Sequence, residues 1–137
     1  MMKVVLDCNI LVMCLSSHSP YHIIYQSLVK NKFELAVSVD IALEYEEIIQ
    51  RKFSTSTANS FVSLLAELSN VYYIHPHYKW QLIEADPHDN KYCDCAIAGQ
   101  IDYLVTEDRH FDILKSIPFP SVTTITIHKF MELLKAT

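Results

Sequence analysis

Short β-branched and apolar runs alternate along the chain with longer stretches whose apolar residues recur at helical spacing. KVVLD, residues 3–7, is a compact apolar run ended by a polar residue and predicts a buried strand. The wider segment MMKVVLDCNILVMC carries one positive charge, is interrupted by Asp7, and reads as strand rather than signal peptide. SPYHIIYQSLVKN (19–31) sets Ile23, Ile24, Leu28 and Val29 on a helix face, with Pro20 near its start. FELAVS (33–38) predicts a second strand, and residues 40–53 a helix turning Ile41, Leu43, Ile48 and Ile49 inward. A third helix spans 56–70 behind Ser and Thr cap candidates, and VYYI (71–74) is a third strand. Beyond the His-Pro-rich turn HPHYKW, a helix begins near Asp89. Strands follow at 102–108 and 121–127, and a helix at 128–135.

Strand–helix alternation of this kind predicts an α/β fold: a three-layer α/β/α sandwich on a mainly parallel sheet of about five strands. No linker or repeat divides the chain, so residues 1–137 read as one domain. In such a sheet, sites lie beyond the carboxyl ends of the strands. The first strand ends at Asp7, the fourth at Thr106–Glu107–Asp108, and the second at Ser38 with Glu44 a turn or so later. The helix at Asp89 starts toward the same rim. Each acid has a plain explanation alone: Asp7 as a turn, Glu44 on a solvated face, Asp89 and Asp108 as helix caps. Gathered at one edge, Asp7, Glu44, Asp89 and Asp108 would repel one another unless cations sat among them. Oxygen donors suit Mg²⁺ or Mn²⁺, and two such ions about 4 Å apart can activate water against a phosphodiester.

Composition narrows the field. A net charge of −5 argues against a simple polyanion-binding patch but not against a nucleic-acid enzyme whose acids are neutralised by cations. The single glycine, Gly99, excludes G-x-G-x-x-G and P-loop motifs; no H-E-x-x-H or G-x-S-x-G occurs either. Cys8, Cys14, Cys93 and Cys95 fit buried thiols of a reducing cytosol, and no apolar run reaches the roughly 18 residues of a membrane span.

With these residues placed, the chain resembles the PIN domain family, in particular the bacterial group described as toxin components of toxin–antitoxin pairs. VVLDCNILV, SVDIALEYEEII, ADPHDNKYCDCAIAGQIDYLVTEDRHF and ITIHKFMELL carry the resemblance nearly end to end. It implies a Mg²⁺- or Mn²⁺-dependent ribonuclease with Asp7, Glu44, Asp89 and Asp108 as its acidic quartet. Asp7 and Asp108 would be the central ligands, and Asn9, Ser38 and Thr106 supporting polar positions. Asp94 stands where this group often has an acid, although five helical residues from Asp89 turn it about 140° away; metal contact and a supporting role both stay open. Asp86, before Pro87, reads as structural. Arg51, Lys52, Lys91 and Arg109 are the cations available for substrate, or equally for solubility. The resemblance further implies an RNA substrate, a small antitoxin protein as partner and a cytoplasmic setting, and it allows a homodimer. Two other readings stand beside it. One is a PIN-like module that binds RNA or protein without cutting. The other is a receiver-like phospho-signalling domain, disfavoured because the third strand ends in YIHPH without an acceptor aspartate.

Overall fold

The computed structural model describes residues 1–136; Thr137, the last residue of the predicted 1–137 domain, lies outside the described residues. Its strands are β1 (Lys3–Leu6), β2 (Glu34–Val37), β3 (Val71–Tyr73), β4 (Tyr103–Val105) and β5 (Thr124–Ile125). The helices are α1 (Cys8–Leu15), α2 (His22–Val29), α3 (Val39–Lys52), α4 (Thr55–Glu67), α5 (Asn90–Ala98) and α6 (Ile127–Lys135). Two 3₁₀ segments, Pro87–Asp89 and Arg109–Ser116, complete the chain. The strands form one sheet in the order β3-β2-β1-β4-β5, and every neighbouring pair is parallel. The five-stranded parallel sandwich agrees with the sequence reading.

β1 and β2 are buried on both faces, as strands between two helical layers must be, so their sequences are continuous apolar runs rather than alternations. α5 packs on β1, β2 and β4. Its buried residues include Cys93, Cys95 and Ala96. The lone glycine follows it: a Cβ on Gly99 would sit 3.0 Å from the Cys95 carbonyl oxygen and 3.2 Å from Ile74. All four cysteines are free and buried, and burial pushes each thiol up to about 12.

The N-terminal segment departs from the strand reading. After β1 the chain turns at Asp7 into α1, whose apolar residues face the core over most of its circumference and hide the helical period. Within α3 the inward stripe is Ile41, Tyr45 and Ile49. Leu43 is 58% exposed because two residues carry it about 200° from Ile41. Val29 of α2 likewise faces outward. β4 and β5 are shorter than the apolar runs that announced them. Thr106–Asp108 leaves the sheet at once, and Ile127 already begins α6.

Candidate metal centre

The strand order reverses direction between β1 and β4, and the crevice beyond their carboxyl ends is where this topology places a site. Asp7 ends β1 and is locked to its neighbour: its N–H donates to the Val105 carbonyl at 3.0 Å, and its Oδ2 accepts the Thr106 hydroxyl at 2.8 Å. That hydroxyl oxygen in turn accepts the Asp108 N–H at 3.0 Å. Thr106 therefore ties together two acids 101 residues apart in the chain. Asp7 stands at the N-cap of α1 but gives it no side-chain cap bond, leaving its carboxylate to the crevice. Burial raises its pKa, and the nearby Asp108 and Glu44 add to the rise against the lowering bond from Thr106.

Asp89 arrives from the other side. Asp86 closes a turn by accepting the His88 N–H at 3.2 Å, Pro87 starts the 3₁₀ segment, and Asp89 ends it at the head of α5. Asp89 makes no side-chain cap bond either, and its buried Oδ2 has no hydrogen-bond partner among the described residues. Its pKa is pushed up to about 7, first by burial and then by Asp86, Asp108 and Asp7. Asp108 does cap: its Oδ1 accepts the His110 N–H at 2.9 Å. One ligand atom each from Asp86, Asp89, Asp108 and His110 lie within 4.8 Å of one another. The structure thus adds two members to the expected set. Asp86 joins because the turn it shapes also aims its second oxygen inward. His110 joins because the 3₁₀ segment folds back over the acids. The only hint of either in the sequence was spacing, two residues after Asp108 and three before Asp89.

Other expected positions sit at varying distance from this cluster. Glu44 is near enough to raise the pKa of Asp7, but it is engaged by the Tyr92 hydroxyl and by Lys91 Nζ at 3.3 Å. Asp94 is not in the cluster; its Oδ1 accepts the Trp80 N–H at 3.1 Å and so fastens the irregular strap between β3 and α5. Ser38 is buried and caps α3, accepting the Ile41 N–H at 3.2 Å. Asn9 lies exposed in the first turn of α1. Arg51 pairs with Glu47 on α3 at 2.7 Å, Lys52 is exposed beside it, and Arg109 lines a shallow pocket with Asp108. A cavity of about 720 Å³ opens next to the acids, between Ser38, Ile74, the strap, Lys91 and Asp94. A second, of about 410 Å³, shares Asp40, Pro87 and Lys91 with it and reaches Glu44.

These residues fit a divalent cation. The converging donors are mostly hard carboxylate oxygens, one of them is buried with nothing to bond, and their mutual repulsion is what a cation would relieve.

A parallel sheet in this order, with carboxylates at its switch point, defines an α/β/α domain built around an acidic rim. The chain belongs to the PIN domain family, whose model matches residues 3–110. Solved structures of similar fold include VapBC2 from Rickettsia felis bound to a DNA fragment from its promoter: TM-score 0.61, 17% identity, covering 91% of this chain and 98% of that one. DNA-bound VapBC from Salmonella typhimurium matches at TM-score 0.61 and 15% identity, covering 93% and 99%. The PIN domain of T. brucei RRP44 matches at TM-score 0.56 and 13% identity, covering 98% and 82%. Comparison with curated proteins returns no match.

Proposed function

We propose that this PIN domain is a metal-dependent endoribonuclease and the toxin of a toxin–antitoxin pair. The observation that carries the reading is the convergence of Asp7, Asp89 and Asp108 at the β1–β4 crevice, with a buried carboxylate oxygen left unbonded. Family membership supports nuclease chemistry, and the likeness to VapBC complexes supports a small antitoxin as partner.

Asp7, Asp89 and Asp108 would hold Mg²⁺ or Mn²⁺, with Glu44 at the margin. When bound, such an ion supplies an acidified water and positive charge against a phosphodiester. The chain's own groups do the rest. Thr106 fixes the carboxylate of Asp7 through its hydroxyl and the backbone of Asp108 through its oxygen. Lys91 Nζ, beside Glu44 at the wall shared by the two cavities, offers an RNA phosphate a positive charge. The larger cavity gives an adjacent nucleotide room away from the acids. Attack by water with cleavage of the P–O3′ bond, the 3′-oxygen leaving with a proton, would give a 5′-phosphate and a 3′-hydroxyl.

Incubating the protein with single-stranded RNA and Mn²⁺, with EDTA and Asp7→Asn as controls, tests this directly. Cleavage that EDTA abolishes and Asp7→Asn reduces by at least about 100-fold is the expected result. An inert wild-type protein, with Asp7→Asn changing neither metal uptake nor cell growth, would sink it.

A further inference from the structure

The cavity of about 720 Å³ beside the acids falls within the range of about 300–1,000 Å³ typical of small-molecule sites. It reaches Asn90, the residue after Asp89, and shares Lys91 with the smaller cavity that extends to Glu44. Asp94 lines it and is only 9% exposed. Its Oδ1 accepts the Trp80 N–H at 3.1 Å, and its Oδ2 takes no hydrogen bond among the described residues. Lys79, also in the lining, is close enough to oppose the rise that burial imposes on the Asp94 pKa. Tyr78 is the aromatic member of the lining and is 64% exposed. Trp80 braces its ring at 4.6 Å between centroids, and Phe119 braces Trp80 at 6.2 Å. An open, supported ring beside a half-bonded carboxylate suits a flat molecule that donates hydrogen bonds from its edge.

We infer that this cavity holds one unpaired guanine of a single-stranded RNA, stacked on Tyr78 and read by Asp94, next to the phosphodiester to be cut. The inference rests on the reading that the acids cut RNA, and it deepens that reading by naming the base beside the cut. An ionised carboxylate only accepts hydrogen bonds. Among the four RNA bases, guanine alone sets two adjacent N–H donors, N1–H and N2–H, on its Watson–Crick edge, with the O6 acceptor beside them. The donors match Asp94, and O6 matches the ammonium of Lys79. Adenine and cytosine would turn a ring-nitrogen lone pair toward the carboxylate, and uracil offers one donor. Bases splayed out, stacked on aromatic rings and read on that edge are the common mode of single-strand RNA recognition. The rival occupant is a basic side chain of a protein partner, which would bring its charge against Lys79.

Trp80 is the chain's single tryptophan, with its ring on Tyr78 and its N–H on Asp94, so its fluorescence reports occupancy. Pentanucleotides UUGUU, UUAUU, UUCUU, UUUUU and UUIUU, with inosine at the centre, are titrated in EDTA so that nothing is cut. We expect UUGUU to bind about tenfold tighter than the adenine, cytosine and uracil forms. Inosine keeps N1–H and O6 but lacks the 2-amino group, and should fall between. Asp94→Asn retains an acceptor for Trp80 and should bind guanine and inosine alike, with the preference for guanine gone. Tyr78→Ala should weaken every pentanucleotide about tenfold, because stacking tolerates any base. Thermal melts verify that both variants fold. No guanine preference in wild type, or one that survives Asp94→Asn, would overturn the inference. So would free GMP binding tighter than UUGUU, which would assign the cavity to a mononucleotide. Displacement of UUGUU by N-acetylarginine amide at lower concentration than by guanosine would give the cavity to a protein partner and overturn it as well. EDTA-sensitive cleavage of RNA, measured separately, decides the nuclease reading in each case.

Discussion

Thr106 is the smallest part of the site with the widest reach, because one hydroxyl fixes both Asp7 and Asp108. Thr106→Val keeps shape and β-propensity but leaves a buried carboxylate without its donor. We expect metal affinity to drop about tenfold by calorimetry, with the fold retained. Tyr45 tests the core in the same way. Its buried hydroxyl donates to the carbonyl of Leu6, the residue before Asp7. Tyr45→Phe should therefore cost about 1–3 kcal/mol in denaturant unfolding. At this scale much was legible in the sequence. Asp7 and Asp108 follow from the rule that sites gather at strand ends, and Thr106 and Ser38 are small polar residues at such ends. Asp86 and His110 were not legible. Their inward aim depends on two 3₁₀ turns whose packing no periodicity encodes.

Among the elements, the strap between β3 and α5 has the least regular structure and the most consequential anchors. Asp94 holds the Trp80 N–H, and the Asn90 side chain both accepts from Ile83 N at 2.8 Å and donates to its carbonyl at 3.2 Å. The strap ends at Asp86, so its fastening bears on the acids. Asp94→Asn keeps an acceptor for Trp80 and should preserve metal binding. Asp94→Ala removes it, and we expect faster limited proteolysis within residues 74–86 and weaker metal uptake. If Asp94→Asn and Asp94→Ala both abolish metal binding, Asp94 serves the metal by its charge and not as an anchor. Helix positions were legible wherever one face is polar, as in α3 and α4. α1 was not, because a helix whose residues are apolar almost all round offers no contrast between its faces, even where one of those faces is exposed. Leu43 was misplaced for a related reason: apolarity alone does not tell an inward residue from an exposed one.

Across the whole molecule, the acids tax stability when no cation is bound. Asp89, raised from 3.8 to about 7, binds its proton more tightly folded than unfolded, and Asp7 is shifted the same way. The contribution of Asp89 is full below about pH 4 and is lost as pH rises through about 7, and that of Asp7 runs in the same direction. Metal-free protein should thus melt at progressively lower temperature between those values. Added Mn²⁺ should raise the melting temperature more at pH 8 than at pH 5, where protons compete for the same oxygens. Equal shifts at the two pH values would separate the metal from these carboxylates. The sheet order carries one more consequence. β1 and β4 lie side by side, yet nearly a hundred residues of chain separate them, and synthesis proceeds from the N-terminus. A growing polypeptide that has exposed Asp7 still lacks Asp89, Asp108 and His110. The proposed catalyst is therefore inert until its ribosome has passed the codon for Asp108, whatever has already folded behind it.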